Sequence, residues 1–216
     1  MNEFQPFEQE VMASQNEKEV DYNLSESGVH PLQLKELLKD CPEYIKTLLA
    51  TEIDYSHANG NPDLRENIAA LYSDCTPDNV LVTVGAIEAN YNSIHTLLQP
   101  GDEIAVMLPG YMQVWGVAKN RGLKINTFRL NEDNGWQLDL DELQQAVTPK
   151  TKMIAVCNPN NPTGYILTEK EMTAIVSAAD GVGAWILADE VYAGAERVKD
   201  EETPPSQLLF LLNRLL

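Results

Sequence analysis

Cationic side chains are scarce in this chain. Only 15 of its 216 residues are Lys or Arg, against 33 Asp or Glu, and the formal net charge is −18. That balance opposes binding to nucleic acid and to anionic membranes, which basic clusters normally mediate. It says little about a small-molecule substrate, whose site can be locally positive. Cysteine is scarce as well. Cys41, Cys75 and Cys157 are odd in number and far apart, with no CxxC spacing. Neither a disulfide framework nor a zinc site is expected, and a reducing compartment is. The N-terminus, Met1-Asn2-Glu3-Phe4, is acidic and leads into no apolar run, so a secretory signal is not expected. No apolar run approaches the roughly 20 residues that span a bilayer. These absences lead to the expectation of a soluble cytoplasmic protein with no membrane, nucleic-acid or metal partner.

What is present is ordinary globular composition, 44% hydrophobic with 7% aromatic residues. Domains run to about 100–200 residues, so the length admits one α/β domain, or one domain with pieces of another. There is no internal repeat and no low-complexity linker. Residues 1–20 read as a polar arm or short helix, 32–38 as one or two helical turns, and Asn61 or Asp63 as the cap of a further helix.

From Pro77 a regular alternation begins. Val80-Leu81-Val82-Thr83-Val84 is expected to be a buried strand from its β-branched run. Gly85 ends it, and Ile87, Tyr91, Ile94 and Leu98 fall at helical spacing after it. Further strands are expected at 104–108, 125–128, 153–157 and 185–189. Helices are expected at about 111–119, from Asp139 to Val147 behind a box formed with Glu142, and at 168–179. Strands alternating with helices predict an α/β fold, a three-layer αβα arrangement with a mostly parallel sheet.

Four features fall at the carboxyl ends of these strands, where ligands bind in open α/β sheets. Gly85-Ala86-Ile87 opens a helix whose free N–H groups and dipole suit a phosphate, although many strand-to-helix turns contain glycine. Tyr111 follows Pro109-Gly110 and is also explained as a packed tyrosine at a helix start. Asn158-Pro159-Asn160-Asn161-Pro162-Thr163-Gly164 is a loop stiffened by two prolines; taken alone it is also a tight Asn/Pro turn. Asp189 follows the apolar Trp185-Ile186-Leu187-Ala188, where a carboxylate is costly unless it has a partner. That partner belongs to a functional site or to a buried ion pair. His30, His57 and His95 read as surface or packed histidines.

Taken together, from about residue 23 to 198, the chain resembles the class I/II pyridoxal-phosphate-dependent aminotransferases of fold type I. The matching pieces are Asn160-Asn161-Pro162-Thr163-Gly164, Ala188-Asp189-Glu190-Val191-Tyr192 and Gly85-Ala86-Ile87-Glu88-Ala89-Asn90. Pro109-Gly110-Tyr111 and Tyr55…Gly60-Asn61-Pro62-Asp63-Leu64-Arg65 complete the set. The resemblance implies pyridoxal 5′-phosphate as cofactor, amino acids and 2-oxo acids as substrates, and a homodimer with shared active sites. It implies that Asp189 faces the pyridine nitrogen and that Asn161 and Tyr192 hydrogen-bond the phenolic oxygen of the ring. Tyr111 would stack on the ring face, and Ala86 and Ile87 would give backbone N–H groups to the phosphate. Tyr55 would reach the phosphate of a neighbouring subunit, and Ser27-Gly28 would close over the substrate carboxylate.

The resemblance also marks what these residues lack. The family's Schiff-base lysine lies a few dozen residues past the acid that Asp189 matches; Lys199 is too near and lacks the expected Ser/Lys surroundings. The family's phosphate- and carboxylate-binding arginines are unmatched as well. Residues 1–50 are expected to form an N-terminal arm and part of a small domain, 51–198 a partial cofactor-binding domain, and 199–216 an aberrant apolar tail of a truncated product. A fragment inactive alone, binding cofactor weakly or pairing with an intact subunit, is therefore the second reading. A cyclase or lyase of the same fold is a third, from a faint likeness of Ser25-Glu26-Ser27-Gly28-Val29-His30 to capreomycidine-synthase-like members. A dinucleotide-binding domain would need a GxGxxG that Gly85-Ala86-Ile87-Glu88 does not supply.

Overall fold

Runs of β-branched and aliphatic residues form the centre of the sheet. The computed structural model of the chain describes residues 4–24, 27–29 and 31–195. Its strands are β1 (Glu103–Leu108), β2 (Lys124–Asn131), β3 (Gln137–Leu138), β4 (Thr151–Cys157) and β5 (Trp185–Asp189). They lie in the order β3-β2-β1-β4-β5. All neighbours pair in parallel except β3, a two-residue strand antiparallel to β2. From β1 the chain first winds to one side, through β2 and β3. It then returns to place β4 and β5 on the other. The order therefore reverses between β1 and β4, which opens a crevice outside their carboxyl ends.

The helices are α1 (Glu8–Asn16), α2 (Leu34–Leu37), α3 (Pro42–Ala50), α4 (Pro62–Ala69), α5 (Gly85–Leu97), α6 (Gln113–Arg121), α7 (Leu140–Ala146) and α8 (Glu169–Val182). Alternate residues of each strand serve opposite faces of the sheet. Ala105, Met107, Phe128, Ile154, Val156 and Ile186 pack with Leu143 of α7 and with Met172 and Ile175 of α8. Ile104, Val106, Met153, Ala155 and Leu187 pack with Ile94 of α5 and with Val114 and Ala118 of α6. Helices cover both faces of the sheet, so the three-layer expectation holds. Helix starts follow the capping rules: Asn61 caps α4, Asp139 caps α7, and Thr168 with Glu171 forms a capping box on α8.

Two expectations require correction. Residues 80–84 form no strand. The Val82 N–H donates to the Asn59 carbonyl at 3.0 Å, and Leu81 and Val84 are exposed. A β-branched run becomes a strand only beside a strand that supplies the ladder, and none lies beside this one among the described residues. The inward face of α5 is also displaced by one position. Ile94 and Leu98 are fully buried, but Ile87 and Tyr91 are exposed, and Asn90 takes the core-facing place instead. The tail at 199–216, with Lys199, lies outside the described residues, as do Ser25, Glu26 and His30. Among the described residues no helix is long and apolar enough to cross a membrane.

Glu171 ties this architecture together. It is only 6% exposed and accepts hydrogen bonds from the Leu138 and Thr168 N–H groups, both at 2.7 Å, and from the Tyr165 hydroxyl at 3.0 Å. Burial, followed by the bond to Glu171 and its negative charge, pushes the Tyr165 phenol up to about 12. Orphaning a buried N–H costs about 1–3 kcal/mol, and losing a cap costs about 1 kcal/mol more. Glu171→Ala is expected to lower unfolding free energy in urea by about 2–4 kcal/mol. Glu169→Ala, exposed one turn position away, should stay within about 0.5 kcal/mol of the parent. Equal effects of the two would refute this role for Glu171.

Candidate active site

The crevice between β1 and β4 is bounded by two loops that are bonded to each other. The Asn160 side chain, buried in the second loop, donates to the Pro109 carbonyl of the first at 3.1 Å. Its oxygen accepts from the Thr163 hydroxyl at 2.8 Å, and Gly164 closes the turn at φ +72°, a conformation open to glycine. Asn158 is used internally as well, accepting from the Leu167 N–H at 2.9 Å. With both of those amides committed to the loop, Asn161 is left half-buried, its amide 3.5 Å from the Tyr192 hydroxyl. The same hydroxyl shares a 2.9 Å hydrogen bond with Ser27 Oγ, which brings the segment 27–29, including Gly28, to the site.

Asp189 ends β5 beside Cys157 of β4 and is 9% exposed. Its Oδ2 accepts from Asn90 Nδ2 at 2.8 Å, and its Oδ1 from the Val191 N–H at 3.2 Å. Asn90 Nδ2 also lies 3.1 Å from Gln113 Oε1, and Gln113 Nε2 donates to the Ile87 carbonyl at 2.6 Å. Asn90 and Gln113 are both buried, and sequence reasoning gave neither a role. Asn90 had one readable signal: a polar residue four and eight positions before Ile94 and Leu98, on a stripe that must face the core. Gln113 had none.

Ala86 and Ile87 stand in the first turn of α5, directly after Gly85 at φ +74°. Val84 offers this helix no side-chain cap, and Glu88 accepts from the Val84 N–H at 2.5 Å. Tyr111 precedes α6 at the crevice. Its hydroxyl donates to Glu10 at 2.6 Å, and Phe7 packs edge-on against its ring with centroids 5.1 Å apart. Burial, followed by the Glu10 hydrogen bond and the charges of Glu10, Asp189 and Tyr192, raises the Tyr111 phenol well above its ordinary value. Tyr55 stands apart from all of these, fully exposed in the irregular stretch before α4. The structure thus brings together Asp189, Tyr192, Asn161, Tyr111 and Ser27-Gly28, and leaves Tyr55 outside. His57 is exposed, and His95 stacks on Tyr91 at 3.9 Å within α5. Among the described residues no cluster of metal-ligating side chains occurs.

A mostly parallel sheet wound both ways from its centre, with a buried carboxylate, amides and phenols gathered at the carboxyl ends of its strands, defines a doubly wound α/β domain. The chain belongs to the aminotransferase class I and II family, whose profile matches residues 23–211. It is 32% identical over 181 residues to the probable aspartate aminotransferase of Methanocaldococcus jannaschii, covering 79% of this chain and 48% of that protein. It is 34% identical over 144 residues to the aspartate aminotransferase of Musicola paradisiaca, covering 64% and 36%. Among solved structures it is similar to a PLP-dependent aminotransferase from Streptococcus suis 89-1591. That match has a TM-score of 0.89 at 30% identity and covers all of this chain and 57% of that one. The chain spans less than half the length of the curated relatives it matches.

Cys157 lies under the loop, its thiol donating to the Pro159 carbonyl at 3.4 Å. Burial pushes it up to about 11 from 9.0; the Asn161 backbone N–H opposes this and the Asp189 charge adds to it. The folded chain therefore holds this proton more tightly than the unfolded one. That contribution to stability is complete below about 9 and is lost as pH rises through about 11. At pH 8 a disulfide reagent is expected to titrate Cys41 and Cys75, which are partly exposed, and to reach Cys157 only on unfolding. Labelling of Cys157 in the folded chain at the rate of Cys75 would show that the loop does not seal it.

Proposed function

We propose that this chain forms the pyridoxal 5′-phosphate-binding wall of an aminotransferase, acting on an amino acid and a 2-oxo acid. The observation that carries the proposal is the state of Asp189. It is a buried carboxylate whose described partners are a carboxamide and a backbone N–H, and among the described residues no cation pairs with it. Buried charges are ordinarily paired, because desolvation leaves them costly alone. A protonated pyridine nitrogen is a cation of the right size and direction to complete this carboxylate.

The other residues fit the remainder of the same molecule. The uncapped start of α5 offers the Ala86 and Ile87 N–H groups, with the positive end of the helix dipole, to a phosphate. Tyr111 presents an aromatic ring at the crevice, and Asn161 and Tyr192 present hydrogen-bonding groups for a phenolic oxygen. Bound there, the cofactor supplies an electron sink for negative charge developing on the substrate's α-carbon. The chain's own part is to keep the ring nitrogen protonated through Asp189, orient the ring through Tyr111, and hold the phenolic oxygen through Asn161 and Tyr192. Ser27-Gly28, joined to Tyr192 by the Ser27 Oγ hydrogen bond, is the segment that would close over a substrate carboxylate. Full exposure of Tyr55 suits a reach to the phosphate of a second subunit in a homodimer, with residues 51–198 as the cofactor-binding domain.

For these 216 residues the proposal is confined to non-covalent binding, because no lysine among them matches the family's Schiff-base lysine. Pyridoxamine 5′-phosphate is therefore the appropriate probe, since it forms no bond to lysine. Calorimetric titration is expected to show saturable one-to-one binding. Asp189→Ala should weaken it at least about tenfold, equivalent to about 1.4 kcal/mol. Undiminished binding by Asp189→Ala would sink the assignment of the carboxylate to the ring nitrogen. Turnover of amino and 2-oxo acids by the purified 216-residue chain would reject the non-covalent restriction.

A further inference from the structure

Two buried carboxamides stand behind Asp189, and their orientations follow from chemistry alone. The Ile87 carbonyl can only accept a hydrogen bond, so the group 2.6 Å from it must be the amide nitrogen of Gln113. That turns Gln113 Oε1 toward Asn90. Asn90 then faces two acceptors, Gln113 Oε1 at 3.1 Å and Asp189 Oδ2 at 2.8 Å, and must present its nitrogen to both. Reversing either amide would set acceptor against acceptor. The chain from the Ile87 carbonyl through Gln113 and Asn90 to Asp189 therefore has one direction and no equivalent alternative.

We propose that Asn90 and Gln113 are positioning residues. They set the Asp189 carboxylate toward the ring nitrogen of the cofactor and hold it in register with the phosphate-binding turn of α5. The inference rests on the pyridoxal-phosphate reading and extends it to residues that touch no part of the cofactor. Asn90 occupies a place on α5 where Ile94 and Leu98 continue the stripe as buried aliphatic residues. An apolar side chain there would pack without a desolvation cost, so the carboxamide is explained by the carboxylate it meets. A carboxylate offers about four acceptor positions. Asn90 and the Val191 N–H take one on each oxygen, which immobilises the group and leaves its remaining lone pairs for an incoming cation. At the other end, the anchoring carbonyl belongs to Ile87, whose own N–H stands in the turn that would hold the phosphate. The pair thus fixes the separation of the two charged ends of one ligand.

The test compares two probes on the purified 216-residue chain by calorimetry. They are pyridoxamine 5′-phosphate and its analogue with carbon in place of the ring nitrogen. Asn90→Leu and Gln113→Met are each expected to weaken pyridoxamine phosphate about five- to thirtyfold and to leave the analogue within about twofold. In an Asp189→Asn background, adding Asn90→Leu should cause no further loss, because the pair acts through that carboxylate. Equal weakening of both probes, or an undiminished effect of Asn90→Leu beside Asp189→Asn, would make the role merely structural and overturn the proposal. Unchanged affinity in both single variants would overturn it as well. Should Asn90→Leu not fold, as judged by thermal melting, Gln113→Met carries the same comparison at nearly constant shape. Absence of pyridoxamine phosphate binding by the parent chain would remove the cofactor reading and this inference with it. Binding by the parent with no effect of the variants removes this inference alone.

Discussion

A buried carboxylate at the end of a largely buried strand constrains the elements around it. Asp189 ends β5, the outer strand beside β4, and is only 9% exposed, so its carboxylate has little water to meet it. Three separate parts of the chain answer it. Helix α5 turns Asn90 inward at a position that packing alone would give to an aliphatic residue. Helix α6 brings Gln113 to orient that asparagine. The turn after β5 folds back so that the Val191 N–H reaches the second oxygen. None of the three neutralises the charge. They hold the carboxylate in one place without pairing it with a cation, which is the arrangement expected of a group that completes its ion pair with a ligand.

The sheet topology supplies the space for that ligand. Because the chain reverses its winding between β1 and β4, the helices that follow these strands lie on opposite faces, and neither covers the gap between the strand ends. The loops there would be free to move apart were they not joined by Asn160 and Pro109. The Asn-rich loop accordingly divides its labour. Asn158 and Asn160 are consumed by the loop's own backbone and by its neighbour, and their burial fixes where Asn161 stands. A loop held this way can keep one amide at the crevice beside Tyr192 without a helix or strand beneath it.

The parts legible in the sequence were those that depend on local pattern. The runs that became β1 and β4 are apolar enough to be buried on both faces, and Asp139 and Thr168 carry the chemistry of helix caps. The parts that were not legible depend on a partner distant in the chain. Residues 80–84 have the composition of a strand but bond to Asn59, because composition cannot report whether a neighbour supplies a ladder. Counting apolar positions on α5 selected Ile87 and Tyr91 and passed over Asn90, because a polar residue facing a buried charge is invisible to hydrophobic periodicity. The contacts of Ser27 with Tyr192 and of Glu10 with Tyr111 bridge 165 and 101 residues. Nothing near any of the four residues announces them.

The overall charge of the chain bears on how such a site must work. At −18 the protein offers no long-range attraction to a phosphate or a dicarboxylate; its mean field repels both. At physiological ionic strength that field is screened over roughly 8 Å, so an anion inside the crevice responds to the groups lining it. Glu88 reaches toward the start of α5 to accept from the Val84 N–H, so its carboxylate is held by that bond at the same end of the helix as the Ala86 and Ile87 N–H groups. An anion bound as proposed at the start of α5 would meet oriented backbone N–H groups and the positive end of the helix dipole. Such groups select by position, and position is what the linkage from Ile87 through Gln113 and Asn90 to Asp189 controls. Within these residues, the geometry of neutral donors is what the proposed site offers an anion in place of a cluster of positive side chains.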